Sequence, residues 1–246
     1  MEGNNMELKD LNLSGASKVT GGEYRNVSVA GASIISSDIV CETMDISGGI
    51  TVQGNVTAKS CKVSGACQIE GNINSLEIKI SGGSRVKGNL EGKNIKMAGA
   101  LKVDGAIKGD MVKLSGEISI GGDTECEEFH LSGAVHTKGT VNCERCDLGI
   151  YADSEIEELV GGTIKVYKGR GSENTWVTIR SLFEQMTGIL RVRTIEGDDI
   201  YLENTTCDTV RGSKVVIGPG CSIGSVEYSE KLDIHASSKV ENKVTL

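Results

Sequence analysis

The residues of this chain that could do chemistry are its cysteines, its histidines and one acidic run. Cys143 and Cys146 form a C-x-x-C pair, a spacing at which two thiolates can bind zinc or exchange disulfides. Cys126 precedes Cys143 by one period of the sequence repeat described below, but a tetrahedral zinc site would need a second pair of ligands close by. We therefore expect all three to serve as small, buried apolar side chains, and we predict no bound metal and no other cofactor.

The histidines and the acidic run do not form a catalytic arrangement in the sequence. His130, His136 and His235 fall at positions that we expect to face solvent, and a general base would need a partner and a pocket. The acidic residues within 196–199 could hold a divalent cation, but such a run is more typical of a solvated turn, here before a strand at 200–202. A GxxxxGK[ST] nucleotide-binding loop does not occur in the sequence. We predict a protein without catalytic residues that is not an enzyme.

Composition narrows the class of partner and the compartment. The net charge is −8 and the sequence pI is about 5.1, which argues against nucleic acid as a partner because phosphate contacts need a clustered basic face. The first ten residues, MEGNNMELKD, contain no apolar stretch of the kind found in secretory signals. Eight cysteines in such a chain suggest free thiols in a reducing compartment. We expect a cytoplasmic protein, with peripheral membrane association as a further possibility.

A repeat in the sequence determines the secondary-structure elements that position these residues. A Ser-Gly or Ala-Gly dipeptide recurs at every seventeenth position, and a fixed period of this kind indicates a solenoid whose repeats pack only on their neighbours. The dipeptides are Ala30-Gly31, Ser47-Gly48, Ser64-Gly65, Ser81-Gly82, Ala98-Gly99, Ser115-Gly116 and Ser132-Gly133.

Alignment of the repeats predicts three short strands per coil. The apolar columns fall into three pairs, and the two members of a pair are separated by a single residue, which is the periodicity of strands with one buried face. The predicted fold is all-β, a three-sided parallel β-helix. We place an N-terminal cap or tail at 1–10, coils at 11–167, an insertion at 168–193, and C-terminal coils with their cap at 194–246. Near the C-terminus Ile200 is assigned to the column of Ile217.

The insertion is the one segment that departs from the coil pattern. Its aromatic and aliphatic residues follow a helical spacing, and they are Trp176, Ile179, Leu182, Phe183 and Met186. Three interpretations stay open: a helix or flap packed on the side of the coils, a contact with a partner or a membrane surface, and a disordered loop.

The two ends of the coil stack are predicted to be contact surfaces. A β-helix exposes unpaired strand backbone and the ends of its apolar columns at both ends. We predict that copies of the chain associate end to end through residues in the terminal coils. These residues are Leu11, Leu13, Leu232, Ile234 and Val240.

The short repeated coils with their Ser-Gly corners, and the segment R-G-S-K-V-V-I-G-P-G-C at 211–221, resemble the bactofilins, polymer-forming bacterial cytoskeletal proteins. The resemblance implies a right-handed β-helix that assembles end to end into non-polar filaments without nucleotide. It also implies a scaffold for cell shape, division or appendage placement, with other copies, a paralogous bactofilin or membrane proteins as partners. The alternatives are a monomeric β-helix binding module and a relative of the hexapeptide acyltransferases, whose repeats the segment 216–224 resembles.

Overall fold

The computed structural model describes residues 8–169 and 188–246, and every regular element within those ranges is a β-strand. The strands wind into a parallel β-solenoid of about 13 turns with about 17 residues per turn. This confirms the all-β coil architecture predicted from the repeat. The chain divides into two compact units, Met1–Asp104 and Gly105–Leu246.

The first unit consists of stacked coils whose strands pair in parallel. Its strands in the described residues are β1 (Leu11–Val19), β2 (Gly22–Glu23), β3 (Asn26–Ile35), β4 (Ile39–Val52), β5 (Val56–Ile69), β6 (Ile73–Ser81), β7 (Ser84–Val86), β8 (Leu90–Glu91) and β9 (Asn94–Val103). Val63 on β5 pairs with Ile46 on β4 and with Ile80 on β6. All three side chains are at most 3% exposed, so each stabilises the stack by about 1.5–3 kcal/mol.

The inward side chains of a single coil come in the three predicted pairs. Strand β5 shows this most clearly, because it runs around the whole coil with a regular alternation of buried and exposed residues. Its buried residues are Val56 with Ala58, Cys61 with Val63, and Cys67 with Ile69. The exposed residues between them keep the three faces polar.

The Ser-Gly dipeptide marks a corner that only glycine can occupy. Gly65 has a φ of 132°, in the region that residues with a side chain rarely adopt. A Cβ atom at Gly65 would also lie 3.0 Å from the carbonyl carbon of Gly48 in the preceding coil, and closer still to its oxygen. The dipeptide therefore recurs because each coil must approach the next at this corner, backbone against backbone.

A second corner is held by a ladder of polar side chains that the sequence interpretation missed. The side-chain oxygen of Asp38 accepts a hydrogen bond from the backbone N–H of Asn55 at 2.7 Å. Asn55 accepts in turn from Asn72 at 2.8 Å, and Asn72 accepts from Asn89 at 2.7 Å. Each coil thus satisfies a backbone donor of the next coil, which would otherwise be left without a partner at the turn.

The second unit repeats the architecture with less regular coil lengths. Its strands in the described residues are β10 (Ile107–Ile120), β11 (Thr124–Ile150), β12 (Ser154–Lys168), β13 (Leu190–Leu202), β14 (Thr205–Ile217), β15 (Ser222–Ile234) and β16 (Lys239–Thr245). Val112 pairs with Phe129, which is one regular period later in the sequence. Thr137 pairs with Ile156, which is two positions beyond a regular period. The corners absorb the extra residues while the strands stay stacked.

Two assignments near the C-terminus were wrong, the first of them because one coil is short. Ile200 pairs with Val215, two positions short of a regular period, and Leu202 is the residue that pairs with Ile217. The acidic run at 196–199 lies inside β13 rather than in a turn that precedes a strand. Gly197 in this run pairs with Gly212, so the run forms a corner of a coil.

The predicted insertion at 168–193 is shorter at its C-terminal side than expected. Strand β12 ends at Lys168 and β13 begins at Leu190. Leu190 pairs with Ser154. The chain therefore rejoins the coil stack at a distance from Ser154 of slightly more than two regular periods. Because this offset is not a whole number of periods, the sequence pattern could not show where the coils resume.

Candidate assembly edges

The last coil of the second unit ends in a strand with one open edge. Strand β16 pairs in parallel with β15, and no other strand of the described ranges pairs with it. Such an edge presents backbone N–H and C=O groups that can pair with a strand of another chain. The edge is therefore the first candidate for a contact between copies.

The apolar columns buried in earlier coils become accessible at this edge. Val215 and Ile217 are 0% exposed. Leu232 and Ile234, which pair with them one coil later, are half-buried. Val240 on β16 is half-buried as well. The next coil in the stack, if one were supplied, would cover all three.

One charged residue interrupts the apolar columns of the last coil. Lys243 pairs with Val226, which is 0% exposed, yet Lys243 itself is exposed. A lysine at an inward position of an edge strand discourages indiscriminate pairing, because its charge would be buried. In a contact with a partner strand, this lysine must therefore stay hydrated or pair with an acidic side chain.

The first coil of the first unit presents another open edge. Leu11 and Leu13 on β1 pair with Val27 and Val29 on β3, and β1 has no other paired strand within the described residues. Leu11 is half-buried and Leu13 is 8% exposed. The five residues named from the sequence as a contact surface thus all lie in the two terminal coils.

The cysteines of the C-x-x-C pair join a third thiol inside the second unit. Cys143 and Cys146 are 3% and 1% exposed, and Cys126 is half-buried. Hydrogen bonds from Cys126 and then from Cys146 lower the pKa of Cys143, and the same bonds raise the pKa of the two donors. No group of three or more Cys, His, Asp or Glu in the described part of the chain is arranged to hold a metal ion.

His130 belongs to a network of charges rather than standing alone in solvent as expected. Its Nε2 atom lies 3.3 Å from Glu128, and its Nδ1 atom lies 3.5 Å from Asp147. Arg145 and then His130 lower the pKa of Glu128 by hydrogen bonding to its carboxylate. His136 and His235 are exposed. The network joins neighbouring coils at the surface, where solvent screens ion pairs.

The second predicted contact surface lies outside the described residues. It comprises Trp176, Ile179, Leu182, Phe183 and Met186, so its three interpretations stay open. Across 8–169 and 188–246, no helix has the length and apolar character needed to span a bilayer.

Comparison with known proteins finds two relatives in Bacillus subtilis (strain 168). The chain is 39% identical over 99 residues to the uncharacterized protein YhbF, which is 40% of this chain and 38% of YhbF. It is 48% identical over 58 residues to the uncharacterized protein YhbE, 24% of each chain. The chain thus spans well under half of either relative. No protein-family model and no solved structure matches it.

Proposed function

We propose that this chain is a non-enzymatic structural protein that assembles end to end into filaments, as the bactofilins do, and serves as an intracellular scaffold. One observation carries the proposal. The apolar columns are 0% exposed at Val215 and Ile217 but half-buried at Leu232 and Ile234, so two apolar columns are left partly uncovered at the last coil of the structure. Partly uncovered apolar columns beside an unpaired strand edge favour association.

Two kinds of interaction would stabilise such a contact. Another coil would bury the accessible parts of Leu232, Ile234 and Val240, at about 25 cal/mol per Å² of apolar surface. It would also pair the open edge of β16, where a hydrogen bond contributes about 0.5–1.5 kcal/mol. Association costs at least about 4 kcal/mol of lost translational and rotational freedom, which the two contributions together must exceed.

Lys243 favours a head-to-tail contact over the non-polar arrangement that the resemblance implies. Two last coils meeting each other would put two copies of Lys243 into one contact, each at an inward position. Counted along the repeat, the same column in the first coil holds Gly22, which pairs with Ile39. A last coil stacked on a first coil therefore places a single Lys243 opposite a glycine, which has no side chain to obstruct it.

The test compares two lysine substitutions on the same strand. Val240→Lys puts a charge into an inward column of β16, whereas Val244→Lys puts the same charge on its outward side, where Val244 is 45% exposed. We expect wild type and Val244→Lys to form large species in sedimentation velocity and Val240→Lys to remain a monomer. A wild type that stays monomeric at every concentration would contradict the proposal and favour a monomeric β-helix.

Cysteine crosslinking tests the direction of the contact. Val19 pairs with Ile35 in the first coil and shares its column, counted along the repeat, with Val240. A chain carrying both Val19→Cys and Val240→Cys should crosslink into long series under mild oxidation if contacts are head to tail. Efficient dimers from Val240→Cys alone would contradict that direction and support the non-polar arrangement.

A further inference from the structure

Charged side chains on the first unit are commonly paired between coils. The stack places each residue beside the residue one coil away, so an acid can lie next to a base. Lys59 lies 2.8 Å from Glu42 in the preceding coil, and Arg85 lies 2.7 Å from Asp104. Pairs of this kind relieve the repulsion that identical columns of charge would create.

One column of the first unit breaks this pattern. Lys62 pairs in register with Lys79, and Lys79 pairs in register with Lys96. All three are exposed, and no ion pair within the described residues joins any of them to an acid, including Asp45 one coil before Lys62. We call these three residues the lysine ladder. Their backbones are about 4.8 Å apart, and like charges directly opposite each other in a sheet are destabilising.

The face that carries the lysine ladder is rich in hydroxyl groups, and its exposed acids include Asp45 in the ladder's own column and Glu77, which accepts a hydrogen bond from Asn94. From Ser60 to Ser64 on β5, each residue pairs with its counterpart on β6 without a shift in register. Ser47, Ser64 and Ser81 form a parallel column two positions from the ladder. Ammonium groups beside hydroxyl donors are the groups that bind phosphate oxygens.

An exposed leucine borders the same face. Leu76 precedes Lys79 on β6 and is 59% exposed, more than any other large apolar side chain in the described part of the first unit. Apolar side chains next to lysines are typical of protein segments that lie in a membrane interface. A soluble polyanion would give this leucine nothing to bury against.

The acidic net charge of the chain does not extend to this unit. Residues 1–104 contain eleven basic and eleven acidic residues, whereas residues 105–246 contain fifteen basic and twenty-three acidic residues. The whole net charge of −8 therefore belongs to the second unit. A local basic surface on the first unit can attract anions, since charges beyond about 10 Å are screened at 0.1 M salt.

We infer that the lysine ladder is a docking surface for the phosphate groups of an anionic lipid membrane, with Leu76 entering the interface. Three lysines on a plane contribute about 1 kcal/mol each near an anionic bilayer. Nucleic acid fits less well, because three lysines would neutralise few phosphates of a strand and the strand would leave Leu76 exposed. The inference depends on the first unit alone and does not require self-assembly, although an assembled chain would present many ladders to one membrane.

The test measures binding to vesicles of phosphatidylcholine with and without about one third phosphatidylglycerol. The ladder variant carries Lys62→Gln, Lys79→Gln and Lys96→Gln. The matched control carries Arg85→Gln, Lys87→Gln and Lys102→Gln, which removes three exposed charges that pair with acids. We expect the ladder variant to bind anionic vesicles about 100-fold more weakly than wild type, the control to bind within a few-fold of wild type, and 1 M NaCl to abolish binding.

Leu76→Ser separates a membrane from a soluble polyanion. We expect it to weaken binding to anionic vesicles several-fold and to leave binding to soluble polyphosphate unchanged. The inference is overturned if wild type does not bind anionic vesicles, if the control loses as much affinity as the ladder variant, or if Leu76→Ser binds vesicles as well as wild type does. The assay is repeated with Val240→Lys, which is expected not to self-assemble. This distinguishes a failure of self-assembly from a failure of docking.

Discussion

Replacing Gly65, the glycine of a Ser-Gly corner, should destabilise the coil stack. Replacing Gly49, which follows the Ser-Gly corner of the preceding coil, should not. Gly65→Ala imposes a side chain at a φ of 132°, which costs about 1–3 kcal/mol. The new Cβ would also press on the backbone of Gly48, and such overpacking costs about 1–3 kcal/mol more. We expect a total loss of about 3 kcal/mol in the free energy of unfolding.

The control is Gly49→Ala, because a Cβ there would have no atom within 4 Å and its φ is outside the left-handed region. That variant should be neutral or more stable by about 0.4–1 kcal/mol, since alanine restricts the unfolded chain. Urea unfolding gives the total loss, and hydrogen exchange shows whether the coils around Gly65 open first. Equal stabilities of Gly65→Ala and Gly49→Ala would refute the steric account of the repeat.

Two further predictions concern charge and pH. Lys79→Glu should raise the stability of the first unit by up to about 1 kcal/mol, because it replaces two repulsions by two attractions. Lys87→Glu should lower stability, because the new carboxylate would repel the acid that is now paired with Lys87. Urea unfolding measures both variants, and a loss of stability in both would contradict the ladder argument. Burial raises the pKa of Cys61 from its ordinary value of 9.0 to about 12, so above pH 9 the unfolded chain ionises while the folded chain does not. Wild-type stability should therefore fall with pH between 9 and 12 more steeply than that of Cys61→Val, by about 1.4 kcal/mol per pH unit, as measured by urea unfolding across that range.

The sequence predicted the coil itself because its constraints repeat at fixed positions. The three buried pairs of β5, such as Cys61 with Val63, lie where the columns placed them. The prediction failed where a corner gained or lost residues, as between Ile200 and Val215. A corner can change length without disturbing the strands on either side. After such a change, a count of seventeen residues no longer identifies the residues that pair, although the alternation of buried and exposed side chains persists.

The candidate surfaces were predictable in part. Leu232 and Ile234 could be assigned to a terminal coil from the period of the repeat alone. The lysine ladder was predictable in principle as well, because Lys62, Lys79 and Lys96 are seventeen residues apart and Glu70 is seventeen residues before Lys87. The structure adds that Lys87 forms an ion pair with Glu70, whereas Lys79 has lysines beside it.

Electron microscopy of the purified wild-type chain, without nucleotide, tests end-to-end assembly most directly. The account predicts unbranched filaments whose diffraction carries a strong axial spacing of about 4.8 Å, because stacked coils would continue from one copy into the next. Val240→Lys should abolish these filaments, and Val244→Lys should leave them intact. Single particles of uniform size at every protein concentration would contradict the account.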